Sequence, residues 1–75
     1  MMADGFVHTV YKREGWVNEL EGGSELPGKY ATRGAAISVG REEAIDRQTE
    51  HVIHNQDGTI GLRSSYGNDP VERPG

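Results

Sequence analysis

Three histidines, His8, His51 and His54, are the residues of this sequence best suited to hold a metal ion or to move a proton near neutral pH. Metal ligands must converge on a point, and strand alternation sends His51 and His54, three residues apart, to opposite faces. No cysteine and no cluster of carboxylates completes a ligand set. The spacing therefore favours partly exposed strand histidines, and no metal or cofactor is expected. His8 and His54 are the one pair that could meet across a sheet. A second grouping, Ser65-Tyr66-Gly67-Asn68-Asp69-Pro70, brings hydroxyls, an amide and a carboxylate close together. Turn chemistry accounts for it: Asn68 and Asp69 close turns with their own side chains, and Pro70 stops a strand. Tyr66 plugs the end of a core with its hydroxyl at the rim. The functional alternative is a recognition loop with Tyr66 as anchor and Asn68 and Asp69 as polar contacts, to which Trp16 adds a large candidate contact.

Other groupings carry less. Glu42, Glu43, Asp46 and Glu50 form an acidic side of a helix, for which solvated charge is the ordinary explanation. Acid–base chemistry would need a pocket that shifts their pKa values, and 75 residues leave little room for one. Gly23 to Lys29 approaches the spacing of a phosphate-binding loop, but Tyr30 stands where Ser or Thr is required. No catalytic residue is assigned, and the expectation is a non-enzymatic protein.

The elements that would position these residues follow from periodicity. Phe6 to Tyr11 is rich in β-branched and aromatic residues and reads as a strand, with Phe6, His8 and Val10 on one face. Lys12 to Gly15 suits a turn, and Trp16 to Leu20 the return strand, with Trp16, Asn18 and Leu20 sharing a face and Trp16 capping the core. Glu21 to Gly28 is a loop, and Lys29-Tyr30-Ala31 leaves room for an extra edge strand. Thr32 is an N-cap for a helix from Arg33 to about Arg47, with Ile37, Ala44 and Gln48 on its apolar stripe and Gly40, Arg41 and Ile45 flanking. Ala35 and Val39 point away as a small outer patch. Gly40 costs helix stability unless the helix backbone must lie close to the sheet. Strands Glu50 to Asn55 and Thr59 to Ser64 are joined at Asp57-Gly58, a signature of a type I′ turn with positive φ at both central residues.

The series hairpin, loop, helix, Val52-Ile53-His54, Asp57-Gly58-Thr59-Ile60 and Ser65-Tyr66-Gly67-Asn68-Asp69-Pro70 resembles a family of small bacterial and phage proteins catalogued as domain of unknown function 2188. Val7-His8-Thr9-Val10, Gly15-Trp16-Val17 and Thr32-Arg33-Gly34-Ala35-Ala36-Ile37 extend the resemblance over roughly residues 7 to 70. The loop Glu21 to Gly28 is longer than in that family, and Gly40 and Glu43 replace an alanine and an apolar residue. The resemblance implies a small antiparallel sheet against one helix and no established activity.

Composition sets the outer limits. The sequence is expected to be one α+β domain over residues 6–70, order ββ(β)αββ, with flexible termini at 1–5 and 71–75. A chain this short buries only about 60 % of the surface its unfolded form exposes. With 33 % hydrophobic residues and no cysteine, its core is thin and unaided by disulfides, which points to a homo-oligomer. Twelve acids against eight bases give a net charge of −4 and no basic footprint, arguing against non-specific nucleic-acid binding. Neither a signal peptide nor a membrane-spanning run is visible, so the expected setting is the cytoplasm. The leading functional expectation is a protein-interaction or regulatory module. The alternative is a nucleic-acid- or ribosome-associated protein presenting Tyr11, Trp16 and Tyr30 to bases.

Overall fold

The computed structural model describes residues 5–66. β1 (Val7–Lys12) and β2 (Gly15–Leu20) form a hairpin, α1 (Arg33–Arg47) follows a long loop, and β3 (Glu50–His54) and β4 (Ile60–Ser65) form a second hairpin. The four strands make one sheet of order β2-β1-β3-β4. The two hairpins are antiparallel, but β1 and β3 run parallel at the centre, with Val7 beside His51 and Thr9 beside Ile53. The sheet is therefore mixed rather than antiparallel. A helix lies between β2 and β3, long enough to carry the chain back for a parallel pairing, whereas adjacent strands joined by tight turns can only reverse. The extra edge strand at 29–31 is reduced to one isolated bridge, Trp16 to Tyr30, and a second bridge, Glu19 to Glu25, comes from the preceding loop.

The hairpin turns differ from the sequence expectation in an informative way. Type I′ geometry occurs in the first hairpin, where Arg13 and Glu14 hold φ of 54° and 63° between the paired residues Lys12 and Gly15. In the second hairpin only Gly58 has positive φ, at 95°. Gly58 N–H donates to the Asn55 carbonyl at 2.9 Å, and Asn55 N–H to the Thr59 carbonyl at 2.7 Å, a three-residue loop of type I turn plus left-handed glycine. Asp57 supports it by accepting from both the backbone N–H and the hydroxyl of Thr59, bonds that hold its carboxyl below the usual carboxylate range.

Helix α1 begins where the sequence places it. Thr32 Oγ1 accepts from Ala35 N–H at 3.2 Å, and the helix ends in a left-handed Gln48 whose N–H reaches the last turn's carbonyls. The buried stripe is Ala36, Gly40 and Ala44, so the expected stripe of Ile37, Ala44 and Gln48 is displaced by a fraction of a turn. Small residues, not large ones, make the contact, because the helix backbone lies directly on polar side chains of the sheet. Ile45 is left 43 % exposed.

The helix covers β1, β2 and β3 and leaves β4 bare. Its side of the sheet carries the core: Val7, Trp16, Ile53 and, unusually, the buried polar residues Thr9, Asn18 and His51. On the opposite face Val17 and Val52 are also buried, among cross-strand bridges from Lys12 to Glu19 and from Arg63 to Glu50. Long side chains cover apolar surface in this way while keeping their charges in water.

Candidate functional site

Between helix and sheet lies a closed polar cluster. Thr9 on β1 and Asn18 on β2 are cross-strand partners, and His51 on β3 reaches the same point from the other side. Asn18 Nδ2 donates to the Ala36 carbonyl of the helix at 3.1 Å, which fixes the orientation of the amide. Its Oδ1 therefore accepts the Thr9 hydroxyl at 2.5 Å. The hydroxyl proton is thereby used, so His51 Nε2, 2.7 Å away, must carry a hydrogen and donate to Thr9 Oγ1. The ring is thus the neutral Nε2–H tautomer. Desolvation pushes its pKa below the ordinary histidine value of 6.5, aided by the charges of Arg41 and His8.

Gly40 is what allows the cluster to exist. A Cβ at that position would lie 2.5 Å from Asn18 Oδ1, 2.7 Å from His51 Nε2 and 2.8 Å from Thr9 Oγ1. All three are far inside van der Waals contact and all belong to buried groups. A chain of satisfied buried polar groups under a helix fixes register and helix position; closed off from solvent, it offers no surface to a substrate.

The opposite face holds a second, partly open cluster. His8 and His54 meet across β1 and β3, with His8 Nδ1 3.0 Å from His54 Nε2 and ring centroids 5.2 Å apart. His8 Nε2 is 2.6 Å from Glu21 Oε1, and His54 Nδ1 is 3.2 Å from the Gly58 carbonyl. Period-2 alternation separates His54 from His51, as expected, and brings His54 to His8. No group of three or more His, Cys, Asp or Glu that could hold a metal ion occurs among the described residues. No pocket occurs among them either.

The third feature is β4. Ile60 and Leu62 are each 56 % exposed, and Leu62, paired with the buried Ile53 on the helix side of the sheet, lies beyond the reach of the helix. Arg63 is held by Glu50 at 2.7 Å and lies over the Phe6 ring on the other face. As the last strand of the sheet, β4 presents one backbone edge that no other strand among the described residues pairs with.

The partner-contact candidates from the sequence are distributed differently. Trp16 is 7 % exposed, in edge contact with Tyr11 at 5.3 Å and under the Arg33 guanidinium at 5.8 Å, so it serves the core. Tyr66 is half-buried, its N–H bonded to the Thr49 carbonyl at 3.2 Å just beyond β4. Asn68 and Asp69 lie outside the described residues. Of the acidic residues expected along the helix, Glu43 pairs with Arg47 at 3.1 Å, while Glu50 belongs to β3 and pairs with Arg63 on the face away from the helix. Thr9 and Glu21 were not singled out from sequence. Thr9 has a legible signal, a polar residue on the face of Val7, whereas Glu21 is brought to His8 by a loop.

The profile of a family described as "Uncharacterized protein conserved in bacteria (DUF2188)" matches residues 7–66. No curated protein and no solved structure matches the chain.

Proposed function

Starting from a chain that belongs to the DUF2188 family, we propose a small non-enzymatic protein-interaction module that acts in the cytoplasm as a homo-oligomer, with β4 as its joining surface. The observation that carries the reading is the exposure of Ile60 and Leu62 on a strand that is both the sheet edge and beyond the reach of the helix. Monomeric proteins ordinarily guard such an edge with lysine, proline or a covering element. Here the only charge on β4, Arg63, is taken up by Glu50 on the other face.

A second copy suits this edge. Two β4 strands running antiparallel about a two-fold axis place Leu62 opposite its symmetry mate and continue the sheet from one chain into the next. The helices of both copies then lie on the same side of the continued sheet. This geometry would bury the apolar surface that a thin core leaves outside.

The test is the solution mass of the wild type and of the double variant Ile60→Lys/Leu62→Lys. Both positions are more than half exposed in the single chain, so the variant should fold with an unchanged circular dichroism spectrum. The reading expects a wild-type mass of twice the 8.2 kDa chain and a single-chain mass for the variant. A wild type that stays at 8.2 kDa at high protein concentration overturns it.

A further inference from the structure

The hydrogen-bond partners of the His8–His54 pair leave the contact between the two rings one proton short. His8 Nε2 faces Glu21 Oε1 at 2.6 Å, and a carboxylate only accepts, so that nitrogen carries a hydrogen. His54 Nδ1 faces the Gly58 carbonyl at 3.2 Å, again an acceptor only, so it too carries a hydrogen. The two remaining nitrogens, His8 Nδ1 and His54 Nε2, stand 3.0 Å apart. With both rings neutral, neither of the facing nitrogens carries a hydrogen, and two lone-pair atoms share the contact. Such a contact is repulsive until a cation enters it.

We propose that His8 Nδ1 and His54 Nε2 are the two protein ligands of a divalent transition-metal site of the zinc, nickel or copper class, completed by water. The separation suits it. At a metal–nitrogen distance of about 2.1 Å, two ligands at 90° stand about 3.0 Å apart, and at the tetrahedral angle about 3.4 Å. The outer nitrogens are engaged as metal-bound imidazoles require: one donates to a carboxylate and the other to a backbone carbonyl, which fixes both tautomers and both ring planes. Imidazole donors select zinc, nickel and copper over magnesium and calcium. The ligands stand on two paired strands, β1 and β3, so their spacing is set by the sheet rather than by a loop. The His8 side chain is 22 % exposed and that of Glu21 59 %, which leaves ion and water a way in.

The neighbours of the pair favour a cation. Glu21 brings a negative charge to His8, and Glu19, the cross-strand partner of His8, brings another that Lys12 offsets. With only two protein ligands the site is open and exchangeable, and copper should bind more tightly than nickel or zinc.

The test uses the full chain and zinc chloride alone, with binding followed by calorimetry in wild type, His8→Gln and His54→Gln. The proposal expects saturable binding of one ion per chain and at least a tenfold loss of affinity in each variant, with magnesium chloride giving no heat. Wild-type binding no tighter than that of His54→Gln overturns it. Should either variant misfold, nickel-induced broadening of the wild-type NMR spectrum decides. Broadening centred on the His8 and His54 rings supports the site, and broadening centred elsewhere, or none, refutes it.

Discussion

Gly40→Ala should destabilise the protein, although alanine is the better helix former. In an exposed helix interior the exchange gains about 1 kcal/mol. At Gly40 the new methyl would sit 2.5, 2.7 and 2.8 Å from Asn18 Oδ1, His51 Nε2 and Thr9 Oγ1, and a contact under 3 Å forces something to move. Those atoms are buried, and Asn18 Oδ1 and His51 Nε2 are each held by a hydrogen bond to Thr9 Oγ1, so none is a flexible end that can swing away. Overpacking of this kind costs about 1–3 kcal/mol. Prising one bond of the cluster open adds about 1–3 kcal/mol for the group left unpaired. Set against the propensity gain, the net loss is about 1–5 kcal/mol. A chain of this length is stable by about 4–11 kcal/mol, so the loss is a large share of the whole. The assay is equilibrium urea unfolding with Gly34→Ala as control, since nothing lies within 4 Å of a Cβ there. Gly34→Ala should raise the midpoint and Gly40→Ala should lower it. If both variants gained stability alike, the close approach of helix to cluster would be refuted.

Three further outcomes follow from the same coordinates. Thr9→Val keeps the shape of the side chain but strands the His51 Nε2–H and Asn18 Oδ1, and should cost about 1–3 kcal/mol in urea unfolding. The lowered pKa of His51 means that the unfolded chain binds its proton first as pH falls. That contribution to stability is therefore present above the unfolded value of 6.5 and is lost as pH drops from there through the folded pKa. NMR should find the ring neutral and in the Nε2–H form at pH 6.5, and a His51 that titrates like an exposed histidine would be wrong for this cluster. Glu14→Gly should stabilise the first hairpin by up to about 1 kcal/mol, read as a higher thermal midpoint, because Glu14 holds φ of 63° and keeps no bond that glycine would break.

The parts of the fold legible in the sequence are those with a local cause. Thr32 marks the helix start because its hydroxyl caps the helix whatever lies around it, and the hairpins are marked by their turn residues. The parallel pairing of β1 with β3 has no local cause, since alternation assigns a face and never a neighbour. The type I′ turn was equally hidden, because Arg13 and Glu14 adopt positive φ under the constraint of a two-residue loop and not by preference. The helix stripe departs from the apolar pattern because Ala36, Gly40 and Ala44 make a contact in which closeness replaces apolar bulk. At the candidate sites, alternation separated His51 from His54 and left His8 as the partner of His54. It said nothing of Glu21 or of the Gly58 carbonyl, which reach the pair from a loop and a turn.

The claim that β4 joins one copy to another is met most directly by hydrogen exchange along Ile60–Ser65 at two protein concentrations. In a lone chain the amides on the free side of an edge strand open to water, and exchange reports that exposure residue by residue. If β4 pairs with its mate, the outward amides should be as protected as the inward ones at high concentration and should lose that protection on dilution. Outward amides that exchange freely at every concentration would contradict the account.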